Sequence, residues 1–302
     1  MNTPDKIELL RRRTFSEVIG DMFTFIRLNL ALILKVHFLL SLPIIILTAG
    51  IFVLLFRDHF SLVRTMSSGV FQDSVAFWDD FKTTAVDSMF SMFAVMPVSI
   101  NTYIIMDRYS RSTTGQVSFE DVWTVFKRKY MPVMIAKLIV APIMFFTGIL
   151  LFLPGIAFFT LFLCVELLII QHGYGIFKAI GRSASIMSKF FWTPFLFCLL
   201  FSITYFIFIG LMQFPVMILE SVTDLTTGRI DPDSIWSIIA ISLRTFNTIL
   251  GYVVYTIPTV GLSILYFSLR EKASLASIMD RIRGIGMEKK ITNAYSQGDE
   301  QY

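Results

Sequence analysis

Apolar residues in this chain fall in long unbroken runs, and short segments of helical periodicity stand between some of them. A helix rises about 1.5 Å per residue, so roughly 20 apolar residues cross the hydrocarbon of a bilayer. Six runs meet that length: Leu30 to Phe56, Lys82 to Met106, Tyr130 to Leu153, Pro154 to Ile170, Phe190 to Met217 and Ile235 to Leu269. Strands of an outer-membrane barrel alternate at period two, and continuous runs exclude that architecture. The pattern predicts an all-α membrane protein with six transmembrane helices arranged as three hairpins. Pro154-Gly155 leaves almost no loop between the third and fourth runs, which predicts a tight turn there.

The polar segments carry their own pattern. Phe15, Val18, Ile19, Met22, Phe23 and Ile26 recur at helical spacing against Glu17, Asp21 and Arg27. Phe119, Val122, Trp123, Phe126 and Tyr130 repeat it against Glu120, Asp121, Lys127 and Arg128, and Ile176, Phe177, Ile180, Ala184 and Met187 against Lys178, Arg182 and Lys189. Thr14 to Glu17 and Ser118 to Asp121 read as capping boxes, in which each end satisfies the other's exposed amide. A fourth such segment, with Leu275, Ile278, Met279 and Ile282, follows the last run. Each of the first three leads straight into an odd-numbered run, so the chain reads as three copies of amphipathic helix, span in, span out. The expectation is that these helices lie in the headgroup plane, the alternative being that they pack on one another as a cytoplasmic layer.

Composition fixes the solvent. Hydrophobic residues make up 55% of 302 positions and charged residues 16%, and the mean hydropathy of +0.70 suits lipid better than a soluble core. The whole chain reads as one polytopic domain: residues 1–29 an amphipathic start, 30–269 the spans, 270–302 a basic tail. Arg11, Arg12, Arg13, Arg108, Arg111, Lys127, Arg128, Lys129, Lys178, Arg182, Arg270 and Lys272 all lie on one side of the six runs, with mainly Arg57, Arg64 and Arg229 opposite. By the positive-inside rule both termini face the cytoplasm of a bacterial inner membrane. The first run lies too far from Met1 and is too long for a cleaved signal, so it is expected to be a retained anchor. The basic load, with a pI near 9.0, suits an anionic inner leaflet as partner better than nucleic acid. Cys164 and Cys198 fall inside spans and read as small apolar residues, not as a disulfide or metal site.

The stretch Val165-Glu166 through Gln171-His172-Gly173, then Phe177-Lys178-Ala179-Ile180-Gly181-Arg182-Ser183 to Phe191-Trp192, carries a resemblance. Together with Pro154-Gly155 upstream and Tyr266-Phe267-Ser268-Leu269-Arg270-Glu271-Lys272 at the end of the last span, it resembles the glycerophosphoryl diester phosphodiesterase membrane-domain family, of the Bacteroidetes type. The resemblance implies the membrane module alone. The family's phosphodiesterase reaction belongs to a soluble barrel with catalytic histidine and metal-binding carboxylates, which this chain has no residues to supply.

Candidate chemistry is sparse. His37, His59 and His172 lack partners at metal spacing and read as interfacial residues, and no P-loop, nucleophile elbow or dinucleotide fingerprint occurs. No cofactor or metal is expected. Ionisable groups inside spans are the better lead, because lipid makes them costly unless paired. Glu166 stands about one turn from the cytoplasmic end of the fourth span, followed by Gln171 and His172. Lys137 lies at similar depth in the antiparallel third span, and Arg182 is a second possible cation. The expectation is a structural ion pair, with an ion or proton relay as the alternative. Asn101, Gln213, Arg244 and Asn247 read as interhelical glue or snorkelling ends. Pro43, Pro97, Pro142, Pro194, Pro215 and Pro258 predict kinked packing helices and not the broken helices of transporters. The leading functional expectation is a non-catalytic inner-membrane protein for envelope organisation or support of a membrane complex. A permease or channel component comes second, and a lipid-modifying enzyme third.

Overall fold

The computed structural model describes residues 6–55, 74–150, 152–227 and 235–274; within these, the side chains of 53, 74–89, 141–154, 158–159 and most of 220–244 are outside the described set. His59, Arg244 and the segment Leu275 to Ile282 therefore lie outside the described residues, as do Arg57, Arg64 and Arg229. The described chain is helical without strands. In order come α1 (Phe15–Val36), a π-helical turn (His37–Ser41), α2 (Leu42–Leu55), α3 (Ser74–Arg111), α4 (Phe119–Leu150) and α5 (Phe152–Phe162). Then follow α6 (Val165–His172), α7 (Ile176–Lys189), α8 (Trp192–Thr227) and α9 (Ile235–Val254), and α10 over 256–274.

Among the described residues, five helical stretches are long and apolar enough to cross a membrane: Phe15–Phe52, Phe90–Arg111, Gly155–His172, Trp192–Leu219 and Thr245–Ser274. The remaining expected span, Tyr130 to Leu153, falls on α4, whose side chains beyond Val140 are not among those described. Leu34, Phe38, Leu47, Phe206, Leu211 and Phe214 are exposed on the outside of the bundle, as lipid-facing side chains would be.

The interior is built where the helices converge at their charged ends. Met22 and Phe25 of α1, Ile104 and Met106 of α3, Leu168 of α6 and Tyr266 of α10 are all fully or almost fully buried in one cluster. Phe25 meets the Tyr109 ring edge-on at 4.9 Å between centroids, and Phe15 meets Phe197 at 6.1 Å. Gly261 permits the closest approach: a Cβ there would meet Met22 Sδ at 2.8 Å and collide with the Phe197 ring. The periodic face of α1 is thus spent on α3, α8 and α10 of the bundle, and these contacts are made with the spans, not with the other amphipathic helices. Phe23 departs from that face and is exposed.

Both capping boxes form. Thr14 accepts from the Glu17 amide while Glu17 accepts from that of Thr14 at 2.7 Å, and Ser118 and Asp121 exchange bonds of 3.2 and 3.1 Å. Upstream of α1, the chain is tied to the bundle. Ile7 donates to the Tyr109 hydroxyl at 2.9 Å and Arg13 to the Ser268 hydroxyl at 3.0 Å. The Arg13 guanidinium is buried, pairing with Asp21 at 2.6 Å and donating to the carbonyls of Glu8, Leu9 and Arg11. Three carbonyls and a carboxylate together replace the water it loses.

Other expectations need correction. Only the first two periodic segments run on into a longer helix; α7 stops at Lys189, and Phe190 and Phe191 turn before α8. Pro154-Gly155 is not the hairpin turn, since α5 already begins at Phe152. A proline in a first turn costs nothing because its missing N–H would have had no intrahelical partner. Trp123 is 39% exposed, stacked on Phe126 and covered by Lys127, while Val122, Val125 and Phe126 are turned inward.

The spans are also not simply kinked. The α-helical ladder widens into a π-turn at His37–Ser41 and is broken at Leu163–Cys164 and at Tyr255. Two of these have a proline cause. Pro43 cannot donate to Leu39, nor Pro258 to Val254, so the ladder slips one turn upstream of each. The third has no proline. It is held open from outside: the Ser183 hydroxyl on α7 donates to Leu161 C=O at 2.7 Å and accepts from the Cys164 amide at 3.2 Å. The Tyr103 hydroxyl of α3 donates to Leu163 C=O at 3.4 Å. In lipid an unpaired amide is expensive, so such a break persists only where neighbouring helices supply partners.

Candidate functional site

A cavity of about 500 Å³ opens between α3, α4, the α5–α6 break, α8 and α9. Glu166 is in the first turn of α6, two residues past the break, which turns its carboxylate towards α3 and α4. Lys137 Nζ reaches Glu166 Oε1 at 3.0 Å, and both side chains remain partly open, at 18% and 16%. Ser99 on α3 completes the cluster. Its hydroxyl lies 3.0 Å from Glu166 Oε2 and 2.6 Å from Lys137 Nζ. The hydroxyl donates to the carboxylate and accepts from the ammonium, so one small side chain engages both charges at once. Depth follows from helix rise: Glu166 is six residues from His172, about 9 Å inside the end of α6.

Tyrosines and amides line the rest of the polar wall. Tyr103 and Tyr255 stand beside the two helix breaks, and Tyr205 approaches Gly251 C=O at 3.5 Å. Gln213 and Asn247 are at the far end, Asn247 donating to Met212 C=O at 2.5 Å. Met92, Val95, Val140, Ile209 and Leu262 make the remaining wall apolar. A chamber of this size with few placed polar groups is of the kind that holds small ligands.

Of the candidate residues, the structure brings Glu166 and Lys137 together and leaves the other two outside. Arg182 is exposed on α7. His172 stacks on Tyr174 at 5.2 Å, and its Nε2 lies 3.4 Å from the Tyr266 hydroxyl. His172 is at the opposite end of α6 from Glu166, and Arg182 lies beyond Gly173, whose φ of +67° ends α6 before α7 begins. Ser99, Tyr103, Tyr255 and Ser183 were not among the sequence candidates. Ser99 is 67 residues from Glu166, and a lone serine in an apolar run carries no signal. Ser183 lay within the motif, at the Ala-Ile-x-x-Ser serine, without a role until the break gave it one.

A second polar chain crosses the bundle at the π-turn. His37, expected at the interface, is buried; its Nδ1 lies 3.0 Å from the Ser41 hydroxyl and its Nε2 2.9 Å from that of Thr256. Asn101 donates to Ser41 at 2.9 Å. These bonds tie α1, α3 and α10 together beside the Tyr255 break, the gluing role expected of Asn101. Cys164 and Cys198 are buried thiols with no disulfide. Among the described residues no group of acidic, histidine and cysteine side chains is placed to hold a metal. No protein-family model, no curated protein and no solved structure matches the chain.

Proposed function

We propose that this chain is the transport-type component among the alternatives, a multi-pass protein that receives a small ligand between its spans and passes it across or out of the bilayer. The observation that carries the reading is the cavity between two helix breaks, with a Lys–Glu–Ser cluster open to it. Interrupted helices whose polar groups face a shared chamber are how many secondary transporters build a site within the bilayer. A purely organising protein gains nothing from a half-open polar chamber among its spans, where each charge is costly. The finer arrangement belongs to the same proposal: six spans as three hairpins, α1, α4 and α7 beginning on the cytoplasmic side of a bacterial inner membrane, and both termini on that side. The basic residues at those ends support it. In that orientation the cavity runs from the pair at Lys137 and Glu166 outward to Ser91 and Gln213.

The test is the full chain in sealed vesicles, with headgroup-labelled phospholipid in the wall and a labelled apolar amino acid outside. Movement of either across the wall above protein-free vesicles, lost when Val95→Trp fills the chamber, supports the reading. Vesicles that change shape with no movement return the organising role to first place. Chemical turnover of the lipid would make the protein an enzyme.

A further inference from the structure

We infer that the cavity selects a zwitterionic amphiphile, one small head carrying both an ammonium and an anionic group on an apolar body. The inference rests on the transport reading and names its ligand class. The charged cluster is the reason. Lys137 and Glu166 are paired at 3.0 Å, yet each keeps part of its surface open to the same cavity. A ligand with one charge would satisfy one partner and strand the other in a low-dielectric site, the costly way to break a buried pair. A ligand with both charges exchanges one ion pair for two and strands neither. Its anion takes the Lys137 ammonium and its ammonium the Glu166 carboxylate.

Ser99 fits the exchange. Its hydroxyl is already within 2.6 Å of the ammonium and 3.0 Å of the carboxylate, so it can stay bonded to either as the two separate. Tyr103 and Tyr255 border the same end; the Tyr103 hydroxyl, which donates to Leu163 C=O, keeps its oxygen as an acceptor for an ammonium. Beyond the head, Met92, Val95, Val140, Ile209 and Leu262 give the body an apolar wall. Such a ligand can come from the bilayer, as a lipid with a phosphoethanolamine head, or from water, as an apolar amino acid. The chemistry that recognises them is the same.

The experiment measures retention of five radiolabelled probes by the full chain in nanodiscs. They are lysophosphatidylethanolamine, phenylalanine, and chain-matched lysophosphatidic acid, alkylamine and monoacylglycerol. At least one zwitterion should bind about tenfold or more tightly than the single-charge and neutral probes, and the one that does identifies bilayer or water as the source. The double variant Lys137→Met/Glu166→Gln, which leaves no lone charge to unfold the protein, should lose that preference. Equal binding of all the amphiphiles, no binding of either zwitterion, or a preference that survives in the double variant would each overturn the inference. Those results leave the vesicle movement standing or falling by itself. Selective binding without any movement would instead sink the transport reading and keep this one.

Discussion

The two halves of the bundle are built to different rules. At the basic ends, Met22, Phe25, Ile104, Leu168 and Tyr266 are packed as tightly as a soluble core, and Gly261 is required because no Cβ fits. Towards the other ends, the same helices part around a chamber of about 500 Å³, and their outer faces present Phe206, Leu211 and Phe214. Water drives apolar faces together only where water competes for them, and lipid does not. The tight half holds the fold, which leaves the loose half free to keep charges, helix breaks and space.

The largest expected effect breaks the loose half at its charges. Lys137→Met or Glu166→Gln alone leaves one charge without its counter-ion and should cost about 3 kcal/mol, read as a lowered Tm in detergent. The double variant should recover a large part of that loss, because the penalty belongs to the lone charge and not to the missing pair. Single variants as stable as the parent would mean that the pair is fully hydrated, and that the site is a functional relay without structural weight.

Adding one carbon to each half sharpens the contrast. Gly261→Ala should destabilise by about 2 kcal/mol, since Met22 and Phe197 must both shift. Val95→Leu adds the same single carbon beside open space and should change stability by less than about 0.5 kcal/mol. Equal costs would show that the chamber collapses in the folded protein.

The smallest effect concerns the cap of α4. Ser118→Ala should cost about 1 kcal/mol at neutral pH. Hydrogen bonds from the side chain and backbone of Ser118 hold the Asp121 carboxyl below its ordinary value of 3.8. A carboxyl lowered by folding stabilises above the unfolded value and loses that contribution as pH falls through the folded one. The gap between wild type and variant should therefore narrow in a melting series taken below pH 3.8, leaving the bond from the Asp121 amide to the Ser118 hydroxyl. A gap unchanged in acid would assign the cost to the serine alone.

What the sequence made legible follows from range. Helical runs, capping boxes and the antiparallel meeting of Lys137 with Glu166 depend on neighbours in the chain or on one hairpin. The break at Tyr255 and the π-turn at His37–Ser41 are half legible, since Pro258 and Pro43 predict a disturbed helix but not the form it takes. The break at Leu163–Cys164 was not legible at all. Its partners are Ser183, two helices later, and Tyr103, 60 residues earlier. The cavity is a property of the whole packing and has no sequence signature.

Space open to water or ligand reaches the Lys137–Glu166 pair in the loose half and is absent from the tightly packed cluster in the other. Cysteine labelling in intact membranes measures this directly, since Cys164 and Cys198 are buried and silent. Val95→Cys and Gln213→Cys, on the cavity wall, should react with a membrane-impermeant thiol reagent, while Val260→Cys, fully buried in the core, should not. Silence at Val95 and Gln213 together, or labelling at Val260 as fast as theirs, would contradict the division of the molecule into a packed half and an open one.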